Sequence, residues 1–460
     1  MKRITKILVA ICFITCANLS IQAQNFKLPN YSTFELKNGL KVYLMEEHDV
    51  PVISVSAILP AGAIYDETKS GLASLTASAL KHGTQNYSKS KIDETLDFIG
   101  ANVSVSASKE FASLSSKFAA KDQKVVLSII KELVVNPVFD VDEFEKEKSR
   151  ILVELERQKE SPQSVIRSYF DQLLYQNHVY ANSLSGTIAS VEKISITDVK
   201  NFYQTNYIPN NAAISIVGDF NSKEIKKVIT TLFSDWKKSN KSPINIASQA
   251  IKTPTESNVL LVNKEDANET TFYIGAPGVA KNNKDIVAIE VINTLFGGRF
   301  TSMINSELRI NSGLTYGANS RFINYKYGGS FLISTFTENK STEQAIDLAL
   351  EVLNKLHSDG LTEELLTSAK NYVKGQFPPD YETTGQLSNL LTQMFWYDFN
   401  EDFINNFEKN VDDLDFKKAK EIISTYFPKD TFQFVLIGKA SEIEKMATKY
   451  GTVKKVDIKD

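Results

Sequence analysis

Hydrophobic positions along the chain follow two periods, one helical and one extended. In GLASLTASALKHGT, residues 71–84, Leu72, Leu75, Thr76, Ala79 and Leu80 recur at the spacing of one helical face. A helix is predicted that stops at Gly83. His82 stands at its end, where a His can sit favourably against the negative end of the dipole. The other face carries Ser74, Ala77 and Ser78. A solvated face favours Lys, Glu or Gln, so small residues there imply close packing or a cavity lining. Residues 102–118, NVSVSASKEFASLSSKF, alternate small and apolar positions and predict a β-hairpin. A helix follows over 121–135. In the same way 327–336 predicts a strand, and 343–357 a helix.

These patterns repeat. Residues 194–233 and 411–450 both run amphipathic helix, aromatic-rich end, Pro209 or Pro428, apolar strand, Gly218 or Gly438, and another helix. The two strands, AAISIVG and FQFVLIG, stand 220 residues apart at their glycines. Residues 239–258 are polar, carry Pro243 and Pro254, and read as a linker. Helices and strands mix within each half, which predicts an α+β fold of two related α+β domains. The expected boundaries are 1–23 for a signal peptide, 24–245 for the first domain and 246–460 for the second.

The first residues change the picture of the rest. Lys2, Arg3 and Lys6 form a basic start, residues 7–14 a short apolar run, and Ser20 to Ala23 a cleavage site. The run is too short to span a bilayer. An exported, periplasmic protein is expected. The weaker alternative is a lipoprotein anchored through Cys16, which Thr15 disfavours. Cys12 and Cys16 are the only cysteines, so the mature chain has no disulfide and no thiolate metal site. Loss of the three cations takes the formal charge from −3 to −6. A mildly acidic chain without basic clusters argues against nucleic-acid binding. No later apolar run is long enough to cross a membrane.

Candidate chemistry is sparse. His48, His82, His178 and His357 are the four histidines, and no two are close in sequence. Each is expected to be a surface or capping His. The chain has no H-E-x-x-H motif, no P-loop and no G-x-S-x-G elbow. Gly297 and Gly298 read as a turn before a helix. On the helix predicted over 142–160, Glu143, Glu147, Arg150 and Glu154 share a face, with Phe144, Ile151 and Leu155 opposite. Such a stripe is ordinarily solvated and ion-paired. Residues 300–310 predict a helix, Asn311–Gly313 a break, and 314–322 a strand. Arg309 and Tyr316 flank the break. Arg offers a planar fork of donors and Tyr a phenolic donor. A lone Arg at a helix end more often compensates the dipole.

Taken together, the duplication, FELKNGLKVYLMEEHDVPVISVSAILPAGAIYDE near the start and ELRINSGLTYG in the second half resemble the pitrilysin/insulinase family of zinc peptidases. The likeness is to the short-chain branch related to the mitochondrial processing peptidase. It implies two homologous domains in a clam-like arrangement. Active members carry an inverted motif, H-x-x-E-H, on the helix quoted first. Here Ser74 and Ser78 match its two His ligands and Ala77 its Glu base. Glu154 matches the family's third ligand and Glu147 a supporting acid. Catalytic zinc needs three protein ligands and an open position. No metal and no cofactor is therefore expected in this chain, and no peptidase activity from it alone.

The resemblance also implies a partner. Related bacterial peptidases pair a chain bearing the zinc motif with a chain lacking it, and the latter contributes an Arg and a Tyr to the shared site. Arg309 and Tyr316 match that pair. The expected function is a non-catalytic subunit of a heterodimeric periplasmic zinc peptidase, acting on peptide substrates beside an active, zinc-bearing subunit of the same family. The alternative is a catalytically inactive scaffold or peptide-binding protein.

Overall fold

A computed structural model describes residues 26–239 and 249–458. Residues 1–25, where the signal peptide with both cysteines is expected, and the middle of the expected linker lie outside the described residues. Two six-stranded sheets organise the chain. The first holds β1 (Ser32–Glu35), β2 (Lys41–Glu46), β3 (Val52–Leu59), β4 (Asn102–Ala107), β5 (Ala112–Ala119) and β6 (Ala213–Gly218). The second holds β7 (Asn258–Asn263), β8 (Glu269–Gly278), β9 (Asn319–Tyr325), β10 (Gly328–Glu338), β11 (Gln433–Gly438) and β12 (Thr452–Asp457). Their orders are β1-β2-β6-β3-β5-β4 and β12-β7-β11-β8-β10-β9.

The repeat seen in sequence is thus a repeat of topology. β6 lies parallel to β2 and antiparallel to β3, and β11 stands likewise to β7 and β8. Only the outermost strand beside β2 or β7 differs. β1 precedes β2 and pairs with it antiparallel, whereas β12 comes from the chain's end and runs parallel to β7. Every residue of β6 and β11 is buried. That requires cover on both faces of each sheet, which explains why these strands read as apolar runs.

The second cover comes from the opposite half. Helix Thr384–Tyr397 packs on β3 and β6 of the first sheet. There the Ser215 hydroxyl donates to the Ser388 carbonyl at 2.5 Å, and Ser54 bonds Thr384 at 2.8 Å. Helix Pro162–Tyr175 packs in return on β8 and β11 of the second sheet. Phe170 is fully buried against Tyr273, and burying such a ring contributes about 2 kcal/mol. Gly275 makes the room, since a Cβ there would lie 2.4 Å from the Phe170 ring. Each half therefore completes the other's core.

A buried polar seam closes the junction. Glu110, at the β4–β5 tip, accepts from the Tyr180 hydroxyl at 2.5 Å and from the Lys326 amide at 2.9 Å, at the β9–β10 tip. Burial pushes its carboxyl above the usual range, against the pull of these donors. Lys109 beside it pairs with buried Asp171 at 3.0 Å, and Arg167 pairs with the same carboxylate at 2.7 Å.

Three local expectations need correction. The helix quoted first spans Leu72–Ala79 and stops before His82, which sits in the following turn. Gly297 and Gly298 are not a turn ahead of a helix. They end the π-helical continuation, Thr294–Gly298, of helix Ile286–Asn293. Residues 314–318 are not extended strand, and β9 begins only at Asn319. The segment before it is a short helix, Met303–Asn305, widened into a π-helix over Ser306–Asn311.

Candidate functional site

Helix Leu72–Ala79 has Gly71 at its start, with φ of 97° and no capping side chain of its own. Asp66 does that work from a distance. Its buried carboxylate accepts from the amides of Gly71 and Ala73, both at 2.8 Å. Burial is the larger effect and pushes the Asp66 carboxyl up to about 7, while the helix amides pull it down.

The three positions on the bare face differ. Ala77 is 1% exposed. Ser74 and Ser78 are half-buried. The Ser74 hydroxyl donates to the carbonyl of Leu184 at 2.8 Å. Small residues therefore let neighbouring chain approach this helix, and one of them bonds it.

Helix Val141–Gln158 packs beside this helix and carries the acidic stripe. Arg150 grips Glu147 with two hydrogen bonds, at 2.7 and 3.0 Å, and holds its carboxyl below the usual carboxylate range. Glu154 pairs with Arg157 at 2.9 Å. Both retained acids are thus held by arginines of their own helix. His82 is 9% exposed, and its Nδ1 has no hydrogen-bond partner among the described residues. Burial, then Lys89, pushes its imidazole below the ordinary value. The other histidines lie elsewhere. His48 meets Asp219 at 2.7 Å, His178 meets the Gln249 carbonyl, and His357 meets the Pro428 carbonyl. Among the described residues no group of three His, Cys, Asp or Glu is placed to hold a metal ion. A Ser, an Ala and a second Ser offer neither soft donors nor a base, so zinc does not fit this helix.

Arg309 and Tyr316 stand in the second half, on either side of Ser312 and Gly313. The π-helix Ser306–Asn311 carries Arg309, and such widened turns recur at functional sites. The Arg309 guanidinium lies over the Phe300 ring at 4.8 Å. The Tyr316 ring stacks on Phe336 with centroids 6.5 Å apart, and its residue is 81% exposed. Among the described residues neither makes a hydrogen bond or an ion pair. Each is a polar group propped on an aromatic ring, with Tyr316 exposed and Arg309 half-buried. Sequence reasoning missed these two rings, the π-helical turns, Asp66 and the Ser74–Leu184 bond.

Two family descriptions match successive stretches of the chain. "Insulinase (Peptidase family M16)" matches residues 41–188. "Peptidase M16 inactive domain" matches residues 193–373. The chain belongs to the insulinase family of peptidases, M16. Among its relatives, the "Non-peptidase homolog YmxG" of Helicobacter pylori is 23% identical, over 85% of this chain and 90% of that one. The "Zinc protease PqqE" of the same organism is 25% identical, over 90% and 93%. The crystal structure of a peptidase M16 inactive domain from Pseudomonas fluorescens shares the fold. Its TM-score is 0.82 at 23% identity, covering 89% of this chain and 98% of that one. The M16 member described here is an inactive homologue that lacks the inverted zinc motif. Among its described residues no helix is long and apolar enough to cross a membrane.

Proposed function

We propose that this M16 homologue is the non-catalytic subunit of an exported, heterodimeric zinc peptidase. Its partner is an active chain of the same family, which brings the zinc. The observation that carries the proposal is the state of Arg309 and Tyr316. Both are aromatic-supported and without a hydrogen-bond or ion-pair partner for the side chain among the described residues, Tyr316 exposed and Arg309 half-buried, while the chain's own motif positions hold no metal ligand. Arg309 orients the backbone or carboxylate of a peptide bound in the partner's site, as its planar fork allows. Tyr316 donates a hydrogen bond to the oxyanion that develops on the scissile carbonyl. The N-terminal basic and apolar run supports export to the periplasm.

The test uses a tagged copy recovered from its native compartment with whatever co-purifies, beside the chain purified alone. Chelator-sensitive peptide hydrolysis is expected only in the co-purified material. In that complex Tyr316→Phe is expected to lower kcat by about a hundredfold or more, and Arg309→Ala to raise KM. Unchanged turnover in both variants removes the proposed roles. Absence of activity in both preparations favours the scaffold or peptide-binding alternative.

A further inference from the structure

A cavity of about 570 Å³ lies beside the degenerate motif helix, between the end of helix Val141–Gln158, the exchanged helix Pro162–Tyr175 and residues 183–192. Its volume falls in the range of small-ligand sites, about 300–1,000 Å³.

One wall is tied to the motif helix. Ser70 Oγ donates to the Ser183 carbonyl at 2.8 Å, Ser74 Oγ to the Leu184 carbonyl at 2.8 Å, and Ser190 Oγ to the Ser70 carbonyl at 2.7 Å. Gly186 lies at φ +76°, and a Cβ there would stand 2.5 Å from the Ser70 oxygen. The Leu184 carbonyl thus faces the motif helix, while Ser183, Ser185 and Gly186 face the cavity. The serine at the first motif position has become a support for this wall.

The lining chemistry selects a ligand. Leu155, Val165 and Ile188 give an apolar floor. Gln158 and Gln172 each present an amide donor and an amide acceptor, the pair that a peptide backbone satisfies. Glu156, Glu192 and Lys159 bring two carboxylates against one ammonium. Glu156 is held by Lys159 at 3.4 Å, and among the described residues Glu192 makes no ion pair. Among the described lining residues the surplus charge is negative.

We propose that this cavity binds a short peptide segment carrying aliphatic side chains next to a cationic one. The site belongs to this chain alone. It needs neither a partner nor Arg309 and Tyr316, so it stands or falls apart from the proposed function.

The experiment is fluorescence anisotropy on the full mature chain with two fluorescein-labelled probes, Leu-Lys-Leu amide and Leu-Glu-Leu amide, each joined through a glycine spacer. The lysine probe is expected to bind about tenfold more tightly, from charge complementarity at the rim. Ala189→Trp and Gln172→Trp place indoles at exposed positions on opposite walls. Each is expected to weaken the lysine probe at least about tenfold, by occupying the mouth. Glu192→Gln, which alters no packing, is expected to weaken it about fivefold. The proposal is overturned if neither probe binds or if both bind equally. It is also overturned if either tryptophan variant, folded by circular dichroism, binds as the parent does, or if Glu192→Gln leaves the preference intact.

Discussion

At the scale of single residues, the chain shows how a lost metal site is refilled. Ser74 is too poor a donor to ligate zinc and Ala77 cannot act as a base, and the fold uses their smallness. Ala77 lets neighbouring chain close over the helix, and Ser74 bonds a carbonyl 110 residues away. Asp66 is the counterpart at the helix start, a buried carboxylate aimed at free amides. Its proton sets a pH dependence. Below about pH 4, its ordinary value, the group is protonated both folded and unfolded. From there to about 7 the folded protein keeps the proton while the unfolded chain releases it. Stability from this group therefore falls as pH rises through that window, then levels off. Asp66→Asn is expected to flatten this part of the curve, read as urea-unfolding free energy of parent minus variant between pH 4 and 8.

At the scale of elements, periodicity did well where burial was one-sided or complete. The hairpin β4–β5, strand β10 and helix Thr342–His357 lie where alternation and helical spacing placed them. It failed around Arg309. There the helix widens into a π turn, and 314–318 stay irregular because their carbonyls and hydroxyls bond one another and β10. Thr335 Oγ1, for example, donates to the Gly317 carbonyl at 2.9 Å. A local pattern cannot report such cross-chain bonds. The exchanged helices were equally hidden, since an amphipathic face does not say which sheet it will meet. Gly275 marks one of those meetings. Gly275→Val is expected to force the Phe170 ring out of place and to cost about 2 kcal/mol, as overpacking does. A lowered midpoint in guanidinium unfolding, with an unchanged slope, is the check.

At the scale of the whole molecule, the two halves are one mechanical body. Each lends a helix to the other's sheet, and their hairpin tips meet at Glu110. A substrate space formed by the two halves swinging apart would have to break that seam. Glu110→Ala leaves the Lys326 amide and the Tyr180 hydroxyl buried without an acceptor. A loss of about 3 kcal/mol is expected from two such orphaned donors. Calorimetry on the parent should show one cooperative transition, and on the variant a lower melting temperature.

The sequence by itself determined the α+β class, the duplication and the missing metal ligands. Each is written in local spacing or residue type. A period-2 strand or a Ser in place of a His needs no partner to be recognised. Tertiary structure alone decided which helix covers which sheet, which carboxylate caps the motif helix and what Ser74 bonds. It also decided that Arg309 and Tyr316 stand on Phe300 and Phe336. All of these join residues distant in the chain, or set side chains by packing. Their energies come from burial and from pairing polar groups, and those depend on neighbours that only the folded chain supplies.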